Sequence, residues 1–97
     1  MNGRIEAMFG DRAIGVEADF VAFRAPDGVE RQFSLQSVEC AVRSEHVFAF
    51  QVNSKVYGVL YKPDNEDQRR VIEALVERLR QSAGMGAGDN DFVDAQF

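Results

Sequence analysis

The strongest structural signals lie in residues 46–80, HVFAFQVNSKVYGVLYKPDNEDQRRVIEALVERLR. Two runs rich in aromatic and β-branched residues flank Asn53 and Ser54, which is the pattern of a β-hairpin with a two-residue turn. That turn places Phe50 opposite Tyr57 on the neighbouring strand. Cross-strand pairs of this kind contribute about 0.2–1 kcal/mol each, so we expect a stable hairpin.

A helix over about residues 65–82 is predicted to follow the hairpin. Pro63 ends the second strand, and Asp64 or Asn65 can cap the helix. Gln68 lies three residues after Asn65, in the position of a capping box. The apolar residues form one stripe at helical spacing, which we expect to pack on the sheet: Val71, Ile72, Leu75, Val76 and Leu79.

The residues before the hairpin favour strands joined by turns. Residues 13–24 indicate one extended stretch, residues 25–28 (Ala-Pro-Asp-Gly) a turn, and residues 29–35 an antiparallel return. Residues 38–42 alternate as a half-buried strand, in which Cys40 is expected to be a small core residue. With a strand near the N-terminus and the hairpin, about six strands are predicted.

Length and composition support one small domain. The chain has 97 residues, of which 45% are hydrophobic, and this is enough to support a core and excludes a disordered chain. We expect an α+β domain over residues 1–83, with an antiparallel sheet or small barrel of about six strands closed by one C-terminal amphipathic helix. Residues 84–97 are predicted to form a flexible Gly-rich linker and an acidic tail.

The formal charge of −5 is concentrated at the end of the chain. Three of the 16 acidic residues lie in residues 89–97, which hold none of the 11 basic residues. The remaining residues are nearly balanced, and their bases are scattered. Because phosphate-backbone binding requires clustered Lys and Arg, this pattern argues against duplex nucleic acid as the main partner.

The sequence predicts a cytoplasmic protein that does not span the membrane. No apolar run reaches the length of a membrane-spanning helix, and the N-terminal residues lack the apolar run of a signal peptide. A reducing compartment also suits Cys40, which has no second cysteine to pair with.

Residue types used in catalysis and metal binding are sparse. His46 is the only histidine and Cys40 the only cysteine, so the usual zinc ligand sets cannot form. Cys40 and His46 could act as a nucleophile and its base only if they converged, and no third member accompanies them. We therefore expect no enzyme, no cofactor and no metal; the enzymatic alternative depends on these two residues.

Residues 46–80 resemble the last two strands and closing helix of PH-like domains, including the small bacterial ones. The shared order is an aromatic strand, a short turn, a strand ending in Lys62-Pro63, and a helix. The resemblance implies binding of lipid headgroups, peptides or protein surfaces without catalysis. Phosphoinositide-binding members carry a basic cluster between the first two strands, whereas Gly10-Asp11-Arg12 holds one base and one acid. Protein contact is therefore the expectation, and an OB-like or other small barrel is the alternative fold.

The aromatic side of the hairpin has two interpretations. Phe48, Phe50 and Tyr57 could form a stacking platform for single-stranded nucleic acid, for which only Lys55, Lys62 and nearby arginines could supply the basic groove. A small domain also needs these rings for its core, and we favour the core interpretation.

The tail DNDFVDAQF combines acids, aromatic residues and a carboxylate end, which is the composition of a short docking peptide for a basic, apolar pocket. The candidate partner-binding residues are Asp91, Phe92, Asp94 and Phe97. The alternative is an unstructured end whose aromatic residues make incidental contacts.

The tail is also similar to the acidic tip of bacterial single-stranded DNA-binding proteins and to the Phe-ended tails of some phage counterparts. In those families the tip docks on partner enzymes or competes for the protein's own DNA site. The resemblance implies Phe97 as the anchor and Asp91 and Asp94 as the charge complement, although Gln96 stands where the bacterial tip has proline.

Two function hypotheses follow. The first is a non-enzymatic protein- or peptide-interaction module with a tethered docking tail, compatible with a homo-oligomer. The alternative is a small phage- or plasmid-type single-stranded DNA-binding protein that its acidic tail regulates.

Overall fold

The structure is a computed structural model that describes residues 4–82 and 92–94. The first sheet consists of β1 (Ile5–Phe9), β2 (Arg12–Val16), β3 (Phe20–Arg24) and β4 (Glu30–Ser34). After one 3-10 turn (Leu35–Ser37), the second sheet contains β5 (Val38–Arg43), β6 (Val47–Val52), β7 (Lys55–Leu60) and β8 (Phe92–Asp94). The helix α1 spans Glu66–Ser82.

The strand order is β1-β2-β3-β4 in the first sheet and β7-β6-β5-β8 in the second. All pairs are antiparallel except β5 with β8, which is parallel. The α+β class, with antiparallel sheets and a C-terminal helix, is therefore as predicted. Within the described residues the two sheets do not join into a closed barrel.

The described residues form eight strands rather than about six. The predicted extended stretch over residues 13–24 is wrong, because the chain reverses after β2. The Glu17 N–H donates to the Phe20 carbonyl at 3.0 Å and closes a turn. A strand at Phe92–Asp94 was not predicted either.

The predicted hairpin is confirmed in its register. Phe50 lies opposite Tyr57, and Phe48 lies opposite Val59. Asn53 and Ser54 have φ angles of 53° and 67°, the positive values that a tight two-residue turn requires at both central positions.

Asn65 caps the helix, and its Oδ1 accepts from the Gln68 N–H at 3.0 Å. The reciprocal bond of a capping box goes elsewhere: Gln68 Oε1 accepts from the Lys62 N–H at 2.8 Å. The Gln68 Nε2 donates to the Met8 carbonyl at 3.0 Å. This buried glutamine therefore ties the start of α1 to the end of β7 and to β1.

One core lies between the inner sides of the two sheets and α1. It contains residues from both sheets and all five members of the helix stripe, so the predicted stripe is confirmed: Val71, Ile72, Leu75, Val76 and Leu79.

A β-bulge changes which residues of β5 face the core. Val38 pairs with Val52, but Cys40 pairs with Gln51, so the residue between them is extra. After the bulge Ala41 is buried, whereas Cys40 is only partly buried. The predicted core position of Cys40 is therefore wrong.

Candidate functional site

The outer side of the first sheet is covered by charged and polar side chains. Arg4 lies at its centre and pairs with Glu30 at 3.1 Å and with Glu6 at 3.6 Å. Arg24 pairs with Glu6 at 3.7 Å. We name this surface the polar face and define it by Arg4, Glu6, Arg24, Glu30 and Gln32.

Small residues lie beneath these long side chains. Ala13 and Ala22 are buried although they are outside the main core cluster. At Gly15 an added Cβ would lie 2.5 Å from Arg4 Nε, so only glycine lets the guanidinium lie against the strand. The long polar side chains therefore close this side of the sheet to water.

The outer side of β5–β7 has the opposite character. Its rows pair Val47 with Leu60 and Ala49 with Gly58, and Ala49 also lies opposite Val42. We name this surface the apolar face and define it by Val42, Val47, Ala49, Val56, Gly58 and Leu60.

Four of the six residues that define the apolar face are exposed, and all six are uncharged. Leu60 is 72% exposed and Val56 is 63% exposed, and Val42 and Val47 are also exposed. Gln51, in the row with Val56, is the polar residue that borders them, and it donates to Glu39 Oε1 at 2.9 Å. Neighbouring exposed apolar side chains on a small domain are typical of a surface that contacts another molecule.

The free edge of β5 carries the short strand β8. Ala41 pairs with Phe92, Val42 with Val93, and Arg43 with Asp94, in parallel. β8 also lies against α1. The tail therefore reaches the second sheet at the edge of the apolar face.

An open groove of about 660 Å³ lies near the C-terminal part of α1. Phe20, Phe33 and Leu35 form part of its lining, with Asp19 and Arg78 as its two charged groups of opposite sign. A single base beside a single acid does not make this groove selective for an anion.

The aromatic residues Phe48, Phe50 and Tyr57 of the hairpin pack in or against the core and do not form an exposed surface. Phe48 and Phe50 are 0% and 1% exposed, so the core interpretation is confirmed for both. Tyr57 is partly buried and stacks on Phe50 with ring centroids 5.6 Å apart. It also contacts Phe33 at a centroid distance of 4.9 Å. The two buried rings cannot stack on nucleobases in this structure, so the predicted platform is not assembled.

The structure does not bring Cys40 and His46 together. Cys40 lies opposite Gln51, whereas His46 is exposed in the loop before β6. Five residues of extended chain separate Gln51 from His46, which is about 17 Å at the rise of a β-strand. Among residues 4–82 and 92–94, no three His, Cys, Asp or Glu side chains form a group that could hold a metal ion.

The predicted tail residues are described only in part. Phe92 and Asp94 belong to β8, while Asp91 and Phe97 lie outside the described residues. The rest of the predicted linker and tail, residues 84–91 and 95–97, also lies outside them.

Comparison with known proteins reveals no relative: no family model, no curated protein and no solved structure matches the chain. The PH-like resemblance and the resemblance to single-stranded DNA-binding proteins therefore stay predictions. In the part of the chain that the structure describes, no helix has both the length and the apolar character needed to cross a bilayer.

Sequence reasoning missed the apolar face, although a signal was present. Apolar residues occupy both parities of the hairpin strands, with Val47 and Ala49 alternating with Phe48 and Phe50. Strands that are apolar on both sides are either buried on both sides or leave one apolar side exposed. Only the position of α1 on the inner side decides between these two outcomes.

Proposed function

We propose that this chain is a non-enzymatic protein-interaction module whose apolar face docks on an uncharged, apolar surface of another protein. The observation that carries the proposal is the exposure of Val56 and Leu60 on a surface whose six defining residues are all uncharged. Burial of apolar surface stabilises a complex by roughly 25 cal/mol per Å², before the costs of association. Side chains already exposed in the free domain gain this free energy when a partner covers them.

The charge of the apolar face favours a protein partner. Nucleic-acid phosphates and anionic lipid headgroups are bound by Lys and Arg, and none of the six residues of the apolar face is charged. An apolar protein surface needs no such cations. The partner is therefore expected to present aliphatic or aromatic side chains at the contact.

The first turn of the domain supports the same choice. Arg12, the one base of the β1–β2 turn, donates from Nη1 to the Gly58 carbonyl at 2.8 Å. Its Nε also lies 3.9 Å from Asp11. The Arg12 guanidinium thus bonds to groups of the protein itself. Two antiparallel sheets with a C-terminal helix are compatible with a PH-like domain that binds protein. No observation favours the single-stranded DNA alternative.

The proposal is tested by site-specific photo-crosslinking of the full chain in cells. A photoreactive phenylalanine analogue replaces Val56 on the apolar face or, as a matched control, Met8, which is 52% exposed on the first sheet. We expect an adduct with another protein from position 56 but not from position 8. The recovered protein, once purified, should bind the unmodified chain, and Leu60→Lys should weaken that binding at least about tenfold, since a charge would be buried.

Two outcomes would overturn this proposal. Equal crosslinking from both positions would show that the apolar face has no special affinity for proteins. An adduct of twice the mass of the chain, lost in Leu60→Lys, would assign the face to self-association instead of a different partner.

A further inference from the structure

The free edge of β5 is a second candidate site, which borders the apolar face at Val42. β5 pairs with β6 on one side, and its other edge offers backbone N–H and C=O groups that need partners. β8 supplies them along Ala41–Arg43, which is three of the six residues of the strand. β8 is thus a short peptide segment seated on a strand edge.

We infer that the β5 edge is a strand-acceptor site for an extended peptide, occupied in this chain by its own tail. The inference goes beyond the proposed function, because it concerns backbone pairing at an edge rather than docking on a face. Strand addition of this kind takes its affinity from main-chain hydrogen bonds and its specificity from side chains at alternate positions.

The register defines the chemistry of the occupant. Arg43 and Asp94 carry opposite formal charges at one register position. Val93 shares a position with Val42, and Phe92 shares one with Ala41. The site therefore takes a segment with two apolar residues followed by an acid, running parallel to β5.

The tail stays on the β5 edge because it is covalently connected to the domain, more than because of the hydrogen bonds that its three residues make. A strand of three residues makes few hydrogen bonds, so its intrinsic affinity for the edge is low. Residues 83–91 join it to α1, and a connection of nine residues keeps its local concentration in about the millimolar range. A separate peptide of the same sequence must compete with that concentration, and it binds better once the tail is released.

The test uses the full chain labelled with ¹⁵N and the synthetic peptide DNDFVDAQF, residues 89–97. Phe92→Pro/Val93→Pro removes the N–H group at both parities of β8, so it releases the tail whichever residue faces β5. Gly86→Pro/Ala87→Pro places the same two prolines outside β8 and is the matched control. The readouts are amide hydrogen exchange and peptide-induced shifts at Ala41–Arg43.

Release of the tail should expose the edge. We expect exchange at the β5 amides that bond β8 to be at least about tenfold faster in Phe92→Pro/Val93→Pro than in the control variant. The peptide should shift the amides of Ala41–Arg43 in the released variant, with a Kd at least about tenfold lower than for the unmodified chain. Equal amide exchange in the two proline variants would overturn the inference. So would a peptide that binds the released variant and the unmodified chain with the same Kd.

The register is tested by a charge exchange. Asp94→Lys in the peptide should weaken its binding to the released variant several-fold, and Arg43→Glu in the protein should restore binding of that altered peptide. If neither Asp94→Lys in the peptide nor Arg43→Glu in the protein changes the Kd, the assigned register is overturned. A concentration-dependent dimer that is lost in Phe92→Pro/Val93→Pro would show that the tail pairs with β5 of a second copy. This result would overturn the inference that the tail occupies the β5 edge of its own chain.

These outcomes are separable from those of the proposed function. Leu60→Lys lies on β7, which is two strands away from the β5 edge. It should leave peptide binding unchanged while it weakens docking at the apolar face. Failure of either proposal therefore leaves the other in place.

Discussion

The two sheets share one core, but their outer sides differ in how far they expose apolar residues to water. On the polar face, Arg4 and Arg24 lie across small residues and pair with Glu6 and Glu30. On the apolar face, Val56 and Leu60 project without any such cover. Long charged side chains can shield apolar surface with their stems and keep their charge in water, as Arg4 does over Gly15 on the first sheet.

This difference separates what the fold requires from what it does not require. Both sheets bury their inner sides, so stability does not explain why Leu60 on the second sheet is left exposed. A lysine or glutamate there would leave the core unchanged and make the domain more soluble. The contrast is therefore the reason to propose the second sheet, rather than the first, as the docking side of the molecule.

Both sheets are expected to fold as one unit, and Leu75→Asp tests this with a large loss of stability. Leu75 is fully buried in the core cluster that joins the sheets. Burying an unpaired carboxylate costs several kcal/mol, against a total stability of about 5–15 kcal/mol, so the variant should be largely unfolded. Urea denaturation followed by circular dichroism measures this.

The control for this variant is Glu73→Gln, on the exposed side of the same helix, which should unfold at nearly the parent urea concentration. A Leu75→Asp protein with the parent midpoint would show that α1 does not pack on the sheets. Loss of amide protection in only one sheet would show that the two sheets are separate folding units.

The sequence predicted the elements whose signals are local. The turn at Asn53 and Ser54 fixes the register of the hairpin, and the cap at Asn65 fixes the start of α1. Each signal lies within a few residues of the structure it specifies. Their geometry therefore depends little on the rest of the chain.

The features that sequence reasoning missed depend on distant partners. The bulge before Cys40 is defined by the pairing of β5 with β6, and Glu39 Oε1 accepts from the Ser54 N–H in the turn after β6 at 3.1 Å. The turn after β2 contains no glycine or proline to indicate it. β8 exists only where the tail meets an open edge, and the apolar face is a surface only because α1 covers the other side.

The same glycine-to-alanine substitution should have different effects on the stability of the domain in the two sheets. An alanine Cβ at Gly58 would lie 3.5 Å from Ala49 Cβ, an ordinary contact. Gly58→Ala should therefore stabilise the domain by about 0.4–1 kcal/mol, through the lower entropy of the unfolded chain. At Gly15 the same change displaces Arg4, and the loss of its ion pairs, up to about 1 kcal/mol, should cancel that gain.

The Arg4 contribution is isolated by a double-mutant cycle in thermal or urea unfolding. In an Arg4→Ala background the clash is gone, and Gly15→Ala should stabilise the domain as much as Gly58→Ala does. Equal effects of the two glycine substitutions in the parent protein would contradict the idea that Arg4 covers the first sheet.

Acidification should destabilise the polar face slightly through Glu30. The hydrogen bond from Gln32, with Arg4 acting in the same direction, lowers the pKa of Glu30 below its ordinary 4.5. Because the folded-state pKa is the lower one, this stabilisation is complete above pH 4.5 and is lost as the pH falls through the folded-state pKa. Glu30 is largely solvated, so the change in the free energy of unfolding should stay below about 0.5 kcal/mol.

An NMR titration should show the pKa of Glu30 rising in Gln32→Ala and unchanged in Leu60→Lys. A shift in Leu60→Lys would mean that the two outer faces are coupled through the shared core.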